Sequence, residues 1–209
     1  MALPMKAKEM AFNINPLVSA VEAPPISEAM SWIDSSASNR ALINLCQAVP
    51  SYPPSPLLQD YLASAVRQPD TSLYTDIAGL PELRVALAHS MSRDYQAEIE
   101  TADVLIAAGC NQAYCLATLA QAGKGDNVIL PSPYYFNHQM WLSMLGVEPR
   151  NIVTMGEAGP FPSVADAAAA IDEHTRAIVL VTPNNPTGVY FRPRCWLRSM
   201  RLRGRRASR

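Results

Sequence analysis

The chain is poor in lysine and, towards its C-terminus, in acid. Lys6, Lys8 and Lys124 are its three lysines, and no Asp or Glu follows Glu173. No side-chain amine or carboxylate chemistry can therefore come from the residues after 173. Cysteine is sparse as well. Cys46, Cys110, Cys115 and Cys195 form no Cys-x-x-Cys pair and have no histidine at metal-ligand spacing, which argues against a zinc site or a disulfide framework. They read as the reduced thiols of a cytoplasmic protein. The N-terminus carries Lys6, Lys8 and Glu9 and has no continuous apolar stretch of the kind a signal peptide needs. Val104 to Gly123 holds no charge and is long enough to raise the question of a membrane span. Gly109, Asn111, Gln112 and Gln121 interrupt it, and a strand-turn-helix reading fits better. No internal repeat is present.

What is there suits a folded domain. Apolar residues make up 49% of the 209 and charged residues 17%, enough for a real core. The net charge of −1 hides an asymmetry. Residues 1–191 hold 9 basic and 18 acidic groups, a net of −9, while eight arginines between Arg192 and Arg209 give +8. A block of like charge is ordinarily a solvated tail. A nucleic-acid arm would interleave lysines and aromatics, whereas this tract has Trp196 alone. Its composition also resembles translation out of frame through GC-rich sequence.

Along the chain, Pro, Ser and Ala dominate up to about residue 50, with a helix expected near Ile26 to Asp34 and a short strand over Ile43–Pro50. Pro50, Pro53, Pro54 and Pro56 form a rigid connector. Leu57 to Arg67 reads as a helix with Leu58, Tyr61, Leu62 and Ala65 on one face, and Pro81 opens another whose apolar face is Leu83, Leu87 and Met91. Strands and helices then alternate. Strands are expected at Asp103–Ala107, Asn127–Leu130, Asn151–Thr154 and Ala177–Val181, and helices at Asn111–Ala122, Tyr134–Leu145 and from Ser163, where Ser163-x-x-Asp166 has a capping pattern. This order implies an α/β fold, a mainly parallel sheet with flanking helices.

Two stretches carry the candidate chemistry. Ala107-Ala-Gly109-Cys110-Asn111 sits where a strand hands over to a helix, so its backbone N–H groups and the helix dipole form a potential phosphate cradle. Val179-Leu-Val-Thr-Pro-Asn-Asn-Pro-Thr-Gly188 reads as a buried strand running into a loop. In that loop Asn184 is a candidate loop stabiliser and Pro186 a candidate cis proline.

Together with Tyr74, Gly79-Leu-Pro-Glu82 and Pro133-Tyr-Tyr135-Phe-Asn137-His138, these motifs resemble the class I/II aminotransferases over roughly residues 40–190. The resemblance implies a fold-type-I large domain, incomplete here, that holds pyridoxal 5'-phosphate (PLP). It assigns Gly109, Cys110 and Asn111 to the PLP phosphate, Tyr135 to stacking on the ring and Asn185 to the phenolic oxygen. Tyr74 would reach the phosphate in the partner subunit of a homodimer, and His138 would be a packed or hydrogen-bonded neighbour. Ala48, in Gln47-Ala48-x-Pro50, would lie on the substrate side, although the family commonly has glycine there. It further implies residues 1–50 in a small domain, 51–190 in a partial PLP-binding domain and 191–209 as a tail. The reaction would transfer an amino group from an amino acid to a 2-oxo acid. The family's Schiff-base lysine and the carboxylate partner of the pyridine nitrogen, both expected beyond Asn185, have no counterpart here. The expectation is therefore a truncated enzyme without a catalytic lysine. A non-catalytic PLP-binding or partner-binding module, a fragment of a PLP-dependent lyase and a nucleic-acid-binding protein are the alternatives.

Overall fold

A computed structural model of the chain describes residues 13–34, 42–43, 49–156, 159–160 and 162–191. Most of the strand expected over Ile43–Pro50, Ala48 included, and the Arg-rich stretch from 192 lie outside the described residues. The chain divides into two compact units, Pro25–Ala113 and Met1–Pro24 with Tyr114–Arg209.

The short helix α1 (Pro16–Ser19) belongs to the second unit. The first unit is helical: α2 (Pro25–Asp34), α3 (Pro56–Val66), α4 (Pro81–Tyr95) and the opening turn of α5 (Gly109–Leu119). Proline opens α3 and α4, where its missing N–H costs nothing and its fixed φ suits the first turn. The Ser55 hydroxyl accepts from Leu58 N at 3.4 Å, and α4 stops where Gln96 turns left-handed at φ 50°. Arg84 ties α4 to the following segment, donating to the Val104 and Thr101 carbonyls at 2.8 Å each.

One expectation changes in this unit. Asp103–Ala107 is not a strand, because a ladder needs a neighbour. Ile106 N to Ala78 O, 2.9 Å, is its one backbone–backbone tie to a distant segment among the described residues. Leu58, Tyr61 and Leu62 of α3 share a face as expected, yet no residue of α3 is buried. On α4 the buried residue is Ala88, while Leu83 and Leu87 remain exposed. Spacing shows which residues share a helix face; it does not supply what covers that face.

The second unit holds β1 (Asn127–Ser132), α6 (Phe136–Met144), β2 (Glu148–Val153), a small antiparallel pair of β3 (Met155–Gly156) and β4 (Gly159–Pro160), α7 (Val164–Ala170) and β5 (Thr175–Ile178). The three longer strands form a parallel sheet in the order β2-β1-β5. β2 begins three residues before the expected Asn151, since Glu148–Arg150 pair with Asn127–Ile129. β5 begins earlier than Ala177 and is half-buried rather than buried, having one edge unpaired among the described residues.

The two-residue period of β1 sorts its side chains to the two faces of the sheet. Val128 and Leu130 pack with Ala122, Leu142 of α6 and Val147, while Ile129 packs with Ile152 and Ala167 of α7. At the amino ends of the strands, Asn127 is 1% exposed and fully engaged. Its amide donates to Asp172 Oδ1 at 2.9 Å and its carbonyl oxygen accepts from the Thr175 hydroxyl at 2.8 Å. Arg150 Nη1 donates to Asp172 Oδ2 at 2.6 Å. The Asn127 amide first, then the Arg150 guanidinium, hold the Asp172 carboxyl well below the usual carboxylate range.

Two outcomes follow. Leu142, which has no exposed surface, should cost about 2–5 kcal/mol of stability when truncated in Leu142→Ala, read by urea denaturation. Asp172 has its folded-state pKa depressed, so its contribution is present in full above the ordinary carboxylate pKa and is lost as pH falls through the lower folded value. Asp172→Asn should therefore lower the urea midpoint at pH 6, and the gap to the parent chain should close on acidification below about pH 4.

Candidate functional site

A small cleft opens at the carboxyl ends of β1 and β5, where open parallel sheets place their ligands. Tyr134, Tyr135, His138, Asn184, Asn185 and Phe191 line it, together with Leu130, Pro131, Val179 and Val181. All of these lie in the second unit.

One wall comes from the turn into α6. Tyr135 sits at the N-cap, half-buried, and its hydroxyl accepts from Asn137 Nδ2 at 2.8 Å. Its ring meets Phe136 at 4.9 Å and, edge-on, the imidazole of His138 at 5.5 Å and 89°. The other side of His138 stacks on Tyr114 of α5, centroids 4.3 Å apart. Burial holds the His138 pKa below its ordinary value, so the ring is neutral near pH 7. Tyr134 donates to Gln139 Oε1.

The opposing loop shows a division of labour between two neighbouring asparagines. Asn184 is buried, and its Oδ1 accepts from the Thr187 hydroxyl at 2.7 Å and from Thr187 N at 3.2 Å. Its backbone N donates to Val189 O at 2.8 Å, and its carbonyl accepts from Gly188 N at 2.7 Å. Phe191 N closes the loop on the Thr182 hydroxyl at 2.9 Å. The Asn185–Pro186 bond is cis, as are Thr182–Pro183 and Ser132–Pro133. With Asn184 holding the loop, the Asn185 side chain is exposed at the cleft and makes none of the loop's hydrogen bonds. Asn184 is thus the loop stabiliser expected of it.

The remaining predicted positions lie in the first unit. Gly109, Cys110 and Asn111 form the exposed first turn of α5; Gly109 N donates to Ala107 O at 2.8 Å, and the N–H groups of Cys110 and Asn111 have no carbonyl a turn earlier within the helix to accept them. Gly109 has φ +84°, and the place its Cβ would occupy has no heavy atom within 4 Å. The turn is an open cradle. Tyr74 is fully exposed, at the start of a segment closed by Gly79 N to Asp76 O at 2.9 Å. At Gly79, φ +102°, an added Cβ would overlap the Ile106 side chain, so only glycine fits there.

Two residues join the site without a signal in the sequence. Nothing in the Asn111–Ala122 pattern distinguishes Tyr114, yet it braces His138. Its hydroxyl is buried and makes no hydrogen bond of good geometry. Burial pushes that hydroxyl's pKa up to about 12, opposed in part by the nearby Thr118 side chain. Phe191 lies just past the loop motif and is 3% exposed.

The sequence model for aminotransferase class I and II matches residues 40–202. An aspartate aminotransferase of Streptomyces avermitilis is 32% identical over 155 residues, 74% of this chain and 38% of that protein. A probable aspartate/prephenate aminotransferase of Aquifex aeolicus is 30% identical over 68% of this chain and 36% of its own length. A Thermus thermophilus aspartate aminotransferase structure superposes with a TM-score of 0.83 at 25% identity, covering 93% of this chain and 51% of that one. The chain spans less than two fifths of the length of these curated relatives.

The two asparagines should separate in mutagenesis. Asn184→Ala strands the Thr187 donors and should cost about 1–3 kcal/mol, whereas Asn185→Ala should change stability by less than about 0.5 kcal/mol. Urea denaturation of both variants reads the difference directly.

Proposed function

Because this chain belongs to the class I and II aminotransferases, we propose that it is built to hold pyridoxal 5'-phosphate in the manner of that family. The carrying observation is the loop: Asn184 takes the structural bonds, which leaves the Asn185 carboxamide free in the cleft that Tyr135 also lines. A flat aromatic wall and an uncommitted amide suit a planar heteroaromatic ring with a phenolic oxygen. The open first turn of α5 suits a phosphate, which helix N-termini receive through backbone N–H groups.

In this reading Tyr135 stacks on the ring and is held in place by Asn137 on its hydroxyl and His138 at its edge. Asn185 donates to the phenolic oxygen. Gly109, Cys110 and Asn111 take the phosphate, and Tyr74 serves the phosphate of a second subunit in a homodimer. When bound, PLP supplies the electron sink for reactions at an amino acid's α-carbon. A neutral His138 beside the stacking tyrosine keeps the wall free of positive charge at physiological pH. The substrate-side role of Ala48 belongs to the same proposal, as does the assignment of residues 1–50 to the small domain, 51–190 to the PLP-binding domain and 191–209 to a tail.

The family's reaction moves an amino group from an amino acid to a 2-oxo acid, and we assign a cytoplasmic enzyme of that kind as the parent activity. Relatives bear the names aspartate, prephenate and nicotianamine aminotransferase, so the amino acid is left open. No lysine follows Asn185 in this sequence. The 209-residue chain therefore binds the cofactor reversibly and does not transaminate.

Titration of the purified chain with PLP, followed by quenching of intrinsic fluorescence, checks this reading. Saturable binding is expected, about tenfold weaker in Asn185→Ala for the loss of one hydrogen bond to a charged oxygen. Borohydride should trap no adduct at a specific lysine. Amino-group transfer from aspartate to 2-oxoglutarate by this chain alone would overturn the assignment of inactivity.

A further inference from the structure

Three rings run in line from α5 to the cleft. Tyr114 stacks on one side of His138, centroids 4.3 Å apart and planes tilted by 33°, and Tyr135 meets the imidazole edge-on at 5.5 Å. His138 is 7% exposed, and among the described residues no hydrogen bond to its side chain fixes the direction of the imidazole. Packing alone orients that ring, and Tyr114 is its aromatic partner from another helix. The residues lining the cleft beside it carry no charge, and burial is what keeps the imidazole neutral. Tyr114 is half-buried, and its own hydroxyl is buried without a hydrogen bond of good geometry. A buried hydroxyl left unpaired costs stability rather than adding it, so what Tyr114 contributes comes from its ring and not from the phenol oxygen.

We propose that Tyr114 is a positioning residue for the cofactor-stacking ring: it covers one side of His138 and so holds the imidazole edge-on to Tyr135. The inference rests on the reading of Tyr135 as the residue that stacks on PLP. Tyr114 does not itself line the cleft, so it acts only through the histidine. An edge-on aromatic contact is directional, because the positive edge of one ring meets the negative face of the other. Without a ring at position 114 the imidazole is free to turn and to take up water, and that contact is lost. Tyr135 then keeps the Asn137 bond to its hydroxyl, at the far end of the side chain, and rocks about that point. Order missing before a ligand arrives must be restored when it binds, at a cost in affinity. A phenylalanine at 114 would present the same face to His138 and do the same work.

Nuclear magnetic resonance of the 209-residue chain carries the test, with His138 assigned among the three histidines as the imidazole absent from His138→Gln. Tyr114→Leu keeps apolar bulk and removes the ring. In that variant the ring-current shift of the Tyr135 ring protons should be lost. The His138 pKa should rise by about half a unit or more towards its ordinary value as water reaches the imidazole. PLP should bind about threefold to tenfold more weakly, the range expected for losing one aromatic pair. Tyr114→Met, an unbranched replacement, should behave in the same way, and Tyr114→Phe should restore all three readings. Parent-like Tyr135 shifts or His138 pKa in the leucine and methionine variants overturn the inference, as does a phenylalanine variant that behaves like leucine. Both resonance readings are made without ligand, which separates the two ideas. A parent chain that binds no PLP sinks the cofactor reading and still leaves the ordering of Tyr135 to be decided by resonance. PLP binding that Tyr114→Leu does not weaken sinks the positioning role alone.

Discussion

The second unit depends on β1 having neighbours on all sides. Pairing with β2 and β5 satisfies its backbone, while its alternating side chains feed two separate clusters, one closed by α6 and the other by α7. β1 runs into the turn that carries Tyr135 and β5 into the loop that carries Asn185, so the positions of both are inherited from the register of these two strands. That register is fixed at its amino end by a buried amide. Asn127 cannot slide by one residue without losing Asp172 and Thr175 together, and a one-residue slip would also exchange the two clusters.

The same economy recurs at the cleft. A loop carrying adjacent asparagines could spend both on its own backbone, but here both Thr187 donors converge on the Asn184 side chain, so one of them suffices. Across the cleft, His138 lies between two tyrosines and stays neutral because it is buried. Tyr135 is thus held by Asn137 at its hydroxyl and by His138 at its edge, and a ligand binding here would find that ring already ordered, which lowers the entropy lost on binding.

Much of this was legible in the sequence, and the failures have particular causes. The alternation of strand and helix, the parallel sheet, the Ser163 cap and the loop bonds of Asn184 follow from short-range chemistry that the residues carry with them. Asp103–Ala107 has the composition of a strand but not the partner that would make it one. The run Ala177–Val181 has the composition of a buried strand yet is half-buried, because burial belongs to the neighbour as much as to the residue. Tyr114 carries no local signal for a related reason. Its importance comes from His138 on the next helix, and no local pattern records that meeting.

The exposed thiol of Cys110 gives the chain a chemical reporter of its own. It stands on the open turn of α5, whereas Cys115, one turn further along the same helix, is half-buried. Any anion settling on that turn shields one sulfur and leaves the other as an internal reference. Alkylation rates at the two cysteines, compared within one molecule, would register occupancy of the cradle without a label, an antibody or a turnover assay.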